Sequence, residues 1–267
     1  MDNSFNLALF MLDPDLVANE ALIDISGTNK IKERVQNAFI TIVNSLIGFV
    51  NALINAVTTF IGVFRTSFRA CMRNTIVTDT FGYIDAINTA TPFIRDYHVL
   101  LEDTRVLDQK INTTYSVMDG VKDTLKDNTI RVSSKTETRR AYHEQVILNL
   151  DRADDLEDKL KKILDKVISN PRAEMNPKRY NIEVLERTIG SNLSMTRTNL
   201  ANLLKELEVS KRLYQDKNFV YRMMHSEDIK RNERLLKHTS SLMQITKSYI
   251  GLYEQVMKHV EANNENA

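Results

Sequence analysis

Residues 38–64 read AFITIVNSLIGFVNALINAVTTFIGVF and contain no Asp, Glu, Lys, Arg or His. A helix of this length runs roughly 40 Å, more than the hydrocarbon core of a bilayer at about 30 Å. Because 27% of the whole chain is charged, such a segment stands apart and must be covered by something other than water. The sequence therefore predicts one very apolar helix near the N-terminus, and what covers that helix decides the function.

Small and amide residues recur along one side of this helix. Their spacing alternates between three and four residues, which places them on one narrow stripe. The stripe consists of Asn37, Thr41, Asn44, Gly48, Asn51, Asn55, Thr58 and Gly62. Residues of this kind let a second backbone approach closely and form hydrogen bonds between helices in apolar surroundings. We therefore predict that the stripe is an interaction surface.

Three interpretations of the apolar helix remain open at this stage. It is the central helix of a soluble bundle, since helices that are apolar on all sides are often buried. Alternatively, it spans or inserts into a membrane, or it lies between the subunits of a homo-oligomer with stripe against stripe. Basic residues flank it on both sides and give the positive-inside rule no preference; they are Lys30, Lys32, Arg34, Arg65, Arg69 and Arg73.

The composition restricts the fold and the compartment. Seven Gly and four Pro in 267 residues argue against a turn-rich sandwich or barrel and against a nucleotide fold with Gly-rich loops. A formal net charge of +1 gives no global basic field for nucleic acid. The single cysteine, Cys71, cannot form an internal disulfide, and the N-terminus carries no basic n-region of a secretory signal. We expect a cytoplasmic protein or part of an assembled particle, with membrane association as the alternative.

The rest of the chain shows helical periodicity, and no strand is predicted. Residues 1–12 read as an apolar arm that docks on the core, and Thr91-Pro92 reads as a helix start. Residues 128–138, NTIRVSSKTET, are polar and predict a linker between an N-terminal helical region, 1–127, and a coiled-coil-like C-terminal region, 139–267. The predicted fold is all-α: an elongated multi-helix bundle of long, coiled-coil-like helices.

The last helix carries the most regular heptad pattern in the chain. Its apolar positions are Ile229, Leu236, Met243, Ile250, Tyr253, Met257 and Val260. Asn232, Thr239 and Thr246 share this line, and polar residues at such positions fix the register of a coiled coil. We predict that this heptad is a second interaction surface.

Chemical motifs are few. The sequence DDLED at residues 154–158 resembles the DDxxD motif of the all-helical prenyl synthases, and the resemblance implies a Mg²⁺–diphosphate site between Asp154 and Asp158. No second Asp-rich motif completes such a clamp, and Lys159 and Lys161 follow as on a solvated helix face. No zincin, P-loop or nucleophile-elbow spacing appears. We expect no enzyme activity, no cofactor and no metal.

A small basic patch precedes that motif. It contains Arg131, Lys135, Arg139 and Arg140, and neighbouring acids favour a solvated face over a phosphate contact. The sequence as a whole predicts a structural protein that assembles with copies of itself or with other subunits. Its composition, low in Gly and Cys and rich in Asn, Thr and Ile, is typical of a phage virion component. A membrane-inserting protein that uses residues 38–64 is the alternative, and a diphosphate-binding enzyme is the remote one.

Overall fold

The computed structural model describes residues 25–70, 76–79, 81–122, 129–171, 178–216 and 226–265. These residues form the helices α1 (Ile25–Ala70), α2 (Tyr83–Lys122), α3 (Thr129–Ser169), α4 (Ile182–Gln215) and α5 (Ser226–Glu265), together with the strands β1 (Ile76–Asp79) and β2 (Lys178–Asn181). The predicted all-α bundle with one very apolar helix is confirmed. The described helices run from 34 residues in α4 to 46 residues in α1. The predicted arm at residues 1–12 and Cys71 lie outside the described residues.

The two strands correct the expectation that the chain has none. They pair antiparallel, with Ile76 opposite Asn181 and Asp79 opposite Lys178. Each strand has only four residues, which is too short for polar and apolar alternation to stand out in a sequence window. The two paired strands are about 100 residues apart in the sequence. No short turn connects them, so the sequence has no turn motif from which the pairing could be predicted.

Helix α2 begins earlier than the sequence predicted. Pro92 lies inside α2 and does not start it. A proline removes one backbone hydrogen bond and crowds the preceding turn, but here Ile87 and Ile94 are buried on either side of it. Thr91 also donates its hydroxyl to the carbonyl of Ile87 at 2.7 Å. Burial of the apolar face therefore carries the helix through the proline.

The start of α2 is fixed by a cluster of hydrogen bonds. The Asp79 carboxylate accepts the backbone N–H of Asp85 at 3.0 Å, and Gly82 takes the left-handed φ of 72° that favours glycine. Asp85 in turn accepts Lys178 Nζ and the Tyr180 hydroxyl of β2, each at 2.6 Å. Burial raises the pKa of Asp79. Burial acts in the same direction on Asp85, but the hydrogen bonds from Lys178 and Tyr180 outweigh it and lower that pKa.

Residues 129–138 of the predicted linker 128–138 are helical and form the first turns of α3. The segment is rich in Ser and Thr but holds neither Gly nor Pro. Ser and Thr cost a helix only fractions of a kcal/mol each, whereas Gly costs about 1 and Pro about 3. Polarity alone therefore did not mark a break. The helix α3 ends at Ser169, directly before Asn170-Pro171.

The chain divides into two compact units, each made of three separate stretches. The first comprises Met1–Ile47, Val99–Asp154 and Glu206–Thr239. In its core, Phe39 stacks on Tyr214 with ring centroids 4.8 Å apart. Gln36 Nε2 donates to the backbone carbonyl of Tyr214 at 2.8 Å, and the Tyr214 hydroxyl donates to Asn232 at 3.0 Å. These contacts hold α1, α4 and α5 together in this unit.

The second unit comprises Gly48–His98, Asp155–Lys205 and Ser240–Ala267. Its core contains a chain of hydroxyl groups, in which Tyr253 donates to Tyr249 at 2.6 Å and Tyr249 pairs with Thr91 at 2.5 Å. Phe60 of α1 packs against Tyr253 with centroids 6.4 Å apart. Burial raises the pKa of Tyr249 and of Tyr253. Both phenols therefore remain neutral hydrogen-bonding groups at physiological pH.

Candidate functional site

All eight residues of the stripe on α1 are exposed. The opposite face of the helix is buried and consists of Val35, Ala38, Phe39, Ile42, Val43, Leu46, Val50, Leu53, Val57 and Phe64. The helix therefore packs on one side only. This arrangement is compatible with a helix of a soluble bundle whose stripe faces solvent, and it leaves the intersubunit and membrane interpretations open.

The stripe satisfies part of its own hydrogen-bonding capacity. Thr41 and Thr58 each donate their hydroxyl to the carbonyl four residues earlier, both at 2.8 Å. At Gly48 and Gly62 nothing lies within 4 Å of the position that a Cβ would occupy. The space above both glycines is open, so another backbone could approach there.

A row of isoleucines borders the stripe. Ile40, Ile47, Ile54 and Ile61 recur at every seventh residue, and each is half-buried. Composition does not separate them from the buried face, because an apolar residue at the edge of that face resembles one at its centre. The seven-residue spacing of a single residue type was the signal that could have separated them. We call the stripe and this isoleucine row together the α1 face.

The α1 face bears no charge and belongs to a segment with membrane-like composition. Glu33–Phe64 is long and apolar enough to cross a membrane, and 22% of its apolar window is buried inside the chain. A core helix of a soluble protein would be mostly buried. Because most residues of this apolar window are exposed, the intersubunit and the membrane interpretations of α1 both remain open.

The C-terminal heptad lies in the interior. Its seven apolar residues are at most 4% exposed, and Asn232, Thr239 and Thr246 are buried with them. They pack within their own chain, so the prediction that they form an interaction surface is wrong. The heptad pattern correctly identified the side of the helix that packs against other helices. The residues it packs against belong to the same chain and not to a second subunit.

Two of the four acidic residues of the DDLED sequence, Asp154 and Glu157, form ion pairs. Asp154 accepts Arg234 at 2.8 Å. Glu157 is nearly buried and accepts the Tyr97 hydroxyl at 3.2 Å and Lys161 at 2.5 Å. Within the described part of the chain no group of three His, Cys, Asp or Glu residues could hold a metal ion. The motif therefore acts as a salt-bridged helix surface there.

The first unit contains a pocket of about 510 Å³. Its lining comes from α3 and α5 and consists of Arg139, Arg140, His143, Ile147, Leu150, Lys230, Arg231 and Arg234. Sequence reasoning found the pair Arg139-Arg140 and interpreted it as a solvated face. It missed the basic residues of α5, whose spacing of one and three places them on one side of that helix.

Arg231 is the most buried cation of this pocket. Its side chain is 4% exposed. Nε donates to Asp108, whereas Nη1 donates to Asp228 at 2.6 Å and to His143 Nδ1 at 3.1 Å. Burial disfavours the charged form, but Asp108 and Asp228 outweigh it and raise the pKa of Arg231. Nη2 is buried and has no hydrogen-bond acceptor.

Comparison of the chain with models of protein families, with curated proteins and with solved structures finds no match. The functional argument therefore depends on the geometry of the α1 face and of the basic pocket.

Proposed function

We propose that this protein is a non-enzymatic structural subunit that associates with copies of itself through the α1 face. One observation carries the proposal: the face is exposed, uncharged from Gln36 to Phe64, and bordered by a half-buried isoleucine at every seventh residue. The product is a homo-oligomer or a larger particle, such as a virion, in the cytoplasm or after assembly.

The α1 face has the periodicity of a coiled-coil seam. Asn37, Asn44 and Asn51 fall on one heptad line, and the isoleucine row falls on the line three residues further on. Isoleucine supplies apolar area to such a seam, and asparagine at the other line fixes register and partner at a cost in stability. This combination favours a specific association over an indiscriminate one.

The glycines of the α1 face favour close approach. A helix pair with small residues at the contact lets the two backbones come near each other. Gly48 and Gly62 lie fourteen positions apart, which is two heptads, so both fall on the same side of α1. If a second copy of α1 packed against this side, the side-chain amides of Asn51 and Asn55 in one copy would lie within reach of the same amides in the other copy.

The test places one charge in the middle of the face without removing any buried group. Asn51→Arg introduces a guanidinium at an exposed position, and a charge left unpaired in an interface costs about 3 kcal/mol or more. That corresponds to a dissociation constant about 100-fold weaker. Sedimentation equilibrium over a range of protein concentrations measures it directly.

Thr198→Arg is the matched control, because Thr198 is also an exposed, uncharged residue in the middle of a helix. The wild type and Thr198→Arg should form the same oligomer, and Asn51→Arg should be a monomer. A wild type that stays monomeric at every concentration would refute the proposal. So would a control that dissociates as readily as Asn51→Arg.

The second candidate function is insertion of α1 into a membrane, which the length and apolar composition of Glu33–Phe64 favour. Replacing Asn51 and Asn55 by Leu removes two amides whose transfer into hydrocarbon is unfavourable. The double variant should therefore bind liposomes more tightly than the wild type in a flotation assay. Failure of the wild type to float with liposomes or to release dye from them would rule this candidate out.

A further inference from the structure

We propose that the pocket of the first unit is a binding site for an organic polyphosphate. This site is separate from the α1 face, and the inference does not depend on self-association. The pocket measures about 510 Å³, which falls within the range of about 300–1,000 Å³ that small-molecule sites occupy. Its lining residues are basic or aliphatic, and among the described residues no Asp or Glu lines it.

Three arginines of the pocket have guanidinium nitrogens that their carboxylate partners do not use. Arg140 contacts Glu144 through Nε alone, at 3.0 Å. Arg234 contacts Asp151 and Asp154 through Nη2 alone, at 3.0 and 2.8 Å. Arg231 has Nη2 without an acceptor. A guanidinium carries five N–H donors in a planar fork, so Arg140 and Arg234 have donors left for an anion, whereas the unused nitrogen of Arg231 is buried.

The existing ion pairs do not block such a ligand. The side chains of Arg140 and Glu144 are 82% and 67% exposed, and an exposed pair of this kind contributes about 0–1 kcal/mol. Arg140 can therefore exchange its partner at little cost. Arg231 is different, because Asp108 and Asp228 hold it in place. Arg231 therefore contributes a fixed positive charge to the lining of the pocket, while its Nη2 stays buried.

The number and kind of donors indicate the ligand class. One carboxylate occupies a single arginine fork, whereas several arginines from two helices around one pocket suit a group with several negative oxygens. Ile147 is 51% exposed and stands beside the buried Leu150 in the lining. These two side chains offer an apolar wall to the organic part of a phosphorylated small molecule.

The experiment is a calorimetric titration of the purified full chain with sodium pyrophosphate and, separately, with ATP, both without divalent cations. Saturable binding that weakens as sodium chloride is added supports the site. Tighter binding of ATP assigns the site to an organic polyphosphate through the apolar wall. Equal affinities for ATP and pyrophosphate would overturn the assignment to an organic polyphosphate, because the apolar wall would then contribute nothing to binding.

The variants locate the binding. Arg140→Gln should weaken binding about tenfold, the loss expected for one charge-assisted hydrogen bond, and Arg140→Gln with Arg234→Gln should abolish it. Arg187→Gln is the matched control, because Arg187 is 76% exposed and forms the same kind of pair one turn along a helix, with Glu183. Thermal unfolding without ligand confirms that each variant is folded. No saturable binding of either probe, an unchanged affinity in Arg140→Gln, or an equal loss in Arg187→Gln overturns the proposal.

Discussion

Replacement of Arg231 by Met should destabilise the first unit more than loss of any other ion pair described above. The methionine keeps much of the side-chain volume but removes the charge that Asp108 and Asp228 share. Those carboxylate side chains are 8% and 1% exposed, so water cannot take over the role of the guanidinium. Two like charges then remain buried close together.

The magnitude follows from this burial. Breaking a buried ion pair by removing one partner costs about 3–5 kcal/mol, whereas an exposed pair contributes about 0–1 kcal/mol. With a shift of about 2–4 °C per kcal/mol for a chain of this size, the melting temperature should fall by roughly 6–20 °C.

Urea unfolding at neutral pH, followed by circular dichroism, measures this loss of stability. Arg95→Met is the matched control, since the side chains of Arg95 and Asp96 are 58% and 55% exposed, and it should change the free energy of unfolding by less than about 0.5 kcal/mol. The double variant Arg231→Met with Asp108→Leu should be less destabilised than the two single changes added together. An Arg231→Met protein that loses no more than the control would refute the view that this charge network holds the unit together.

Three further predictions concern the other sites. Gly48→Ala should raise the free energy of unfolding of the isolated chain by about 0.5–1 kcal/mol, because nothing obstructs a Cβ there, while weakening self-association in sedimentation; a destabilised chain would show that the space is occupied. Asp85→Asn should destabilise by about 1–2 kcal/mol at neutral pH. Because the partners of Asp85, such as Lys178, lower its pKa below the ordinary 3.8, the stabilisation is present above that value and is lost as the pH falls through the folded-state value. Wild type and variant should therefore melt alike in strong acid, and a gap that persists there would contradict the assignment. Tyr214→Phe should cost about 1–3 kcal/mol in chemical unfolding, since buried Asn232 loses its donor, and an unchanged midpoint would argue against that hydrogen bond.

The sequence predicted the stripe of α1 correctly as one face, because the spacing of Asn44, Gly48 and Asn51 fixes their direction on any helix. It could not tell which side of the helix the rest of the chain would cover. That choice depends on Tyr214 and other residues far along the chain. For the same reason the heptad around Met243 was recognised as a seam, but its partner inside the chain was not.

The errors arose where local preferences compete with burial. Pro92 and the Ser- and Thr-rich residues 129–138 both resemble helix breaks when only neighbouring residues are considered, yet α2 continues through Pro92 and α3 already includes residues 129–138. The pocket was invisible for a different reason: Arg140 and Arg234 lie on separate helices, and no pattern within either helix shows that they meet. Only tertiary structure brings those charges to one cavity.

The hydrogen bond from Gln36 to Tyr214 spans 178 residues of sequence, and this separation matters while the chain is being made. At about 5–20 residues per second, the ribosome adds Tyr214 to the growing chain roughly 9–36 s after it has added Gln36. For most of that interval α4 and α5 have not yet been made, because α4 begins only at Ile182. We expect the apolar side of the newborn α1 to stay uncovered for that time, which is the period in which it can pack against other nascent chains.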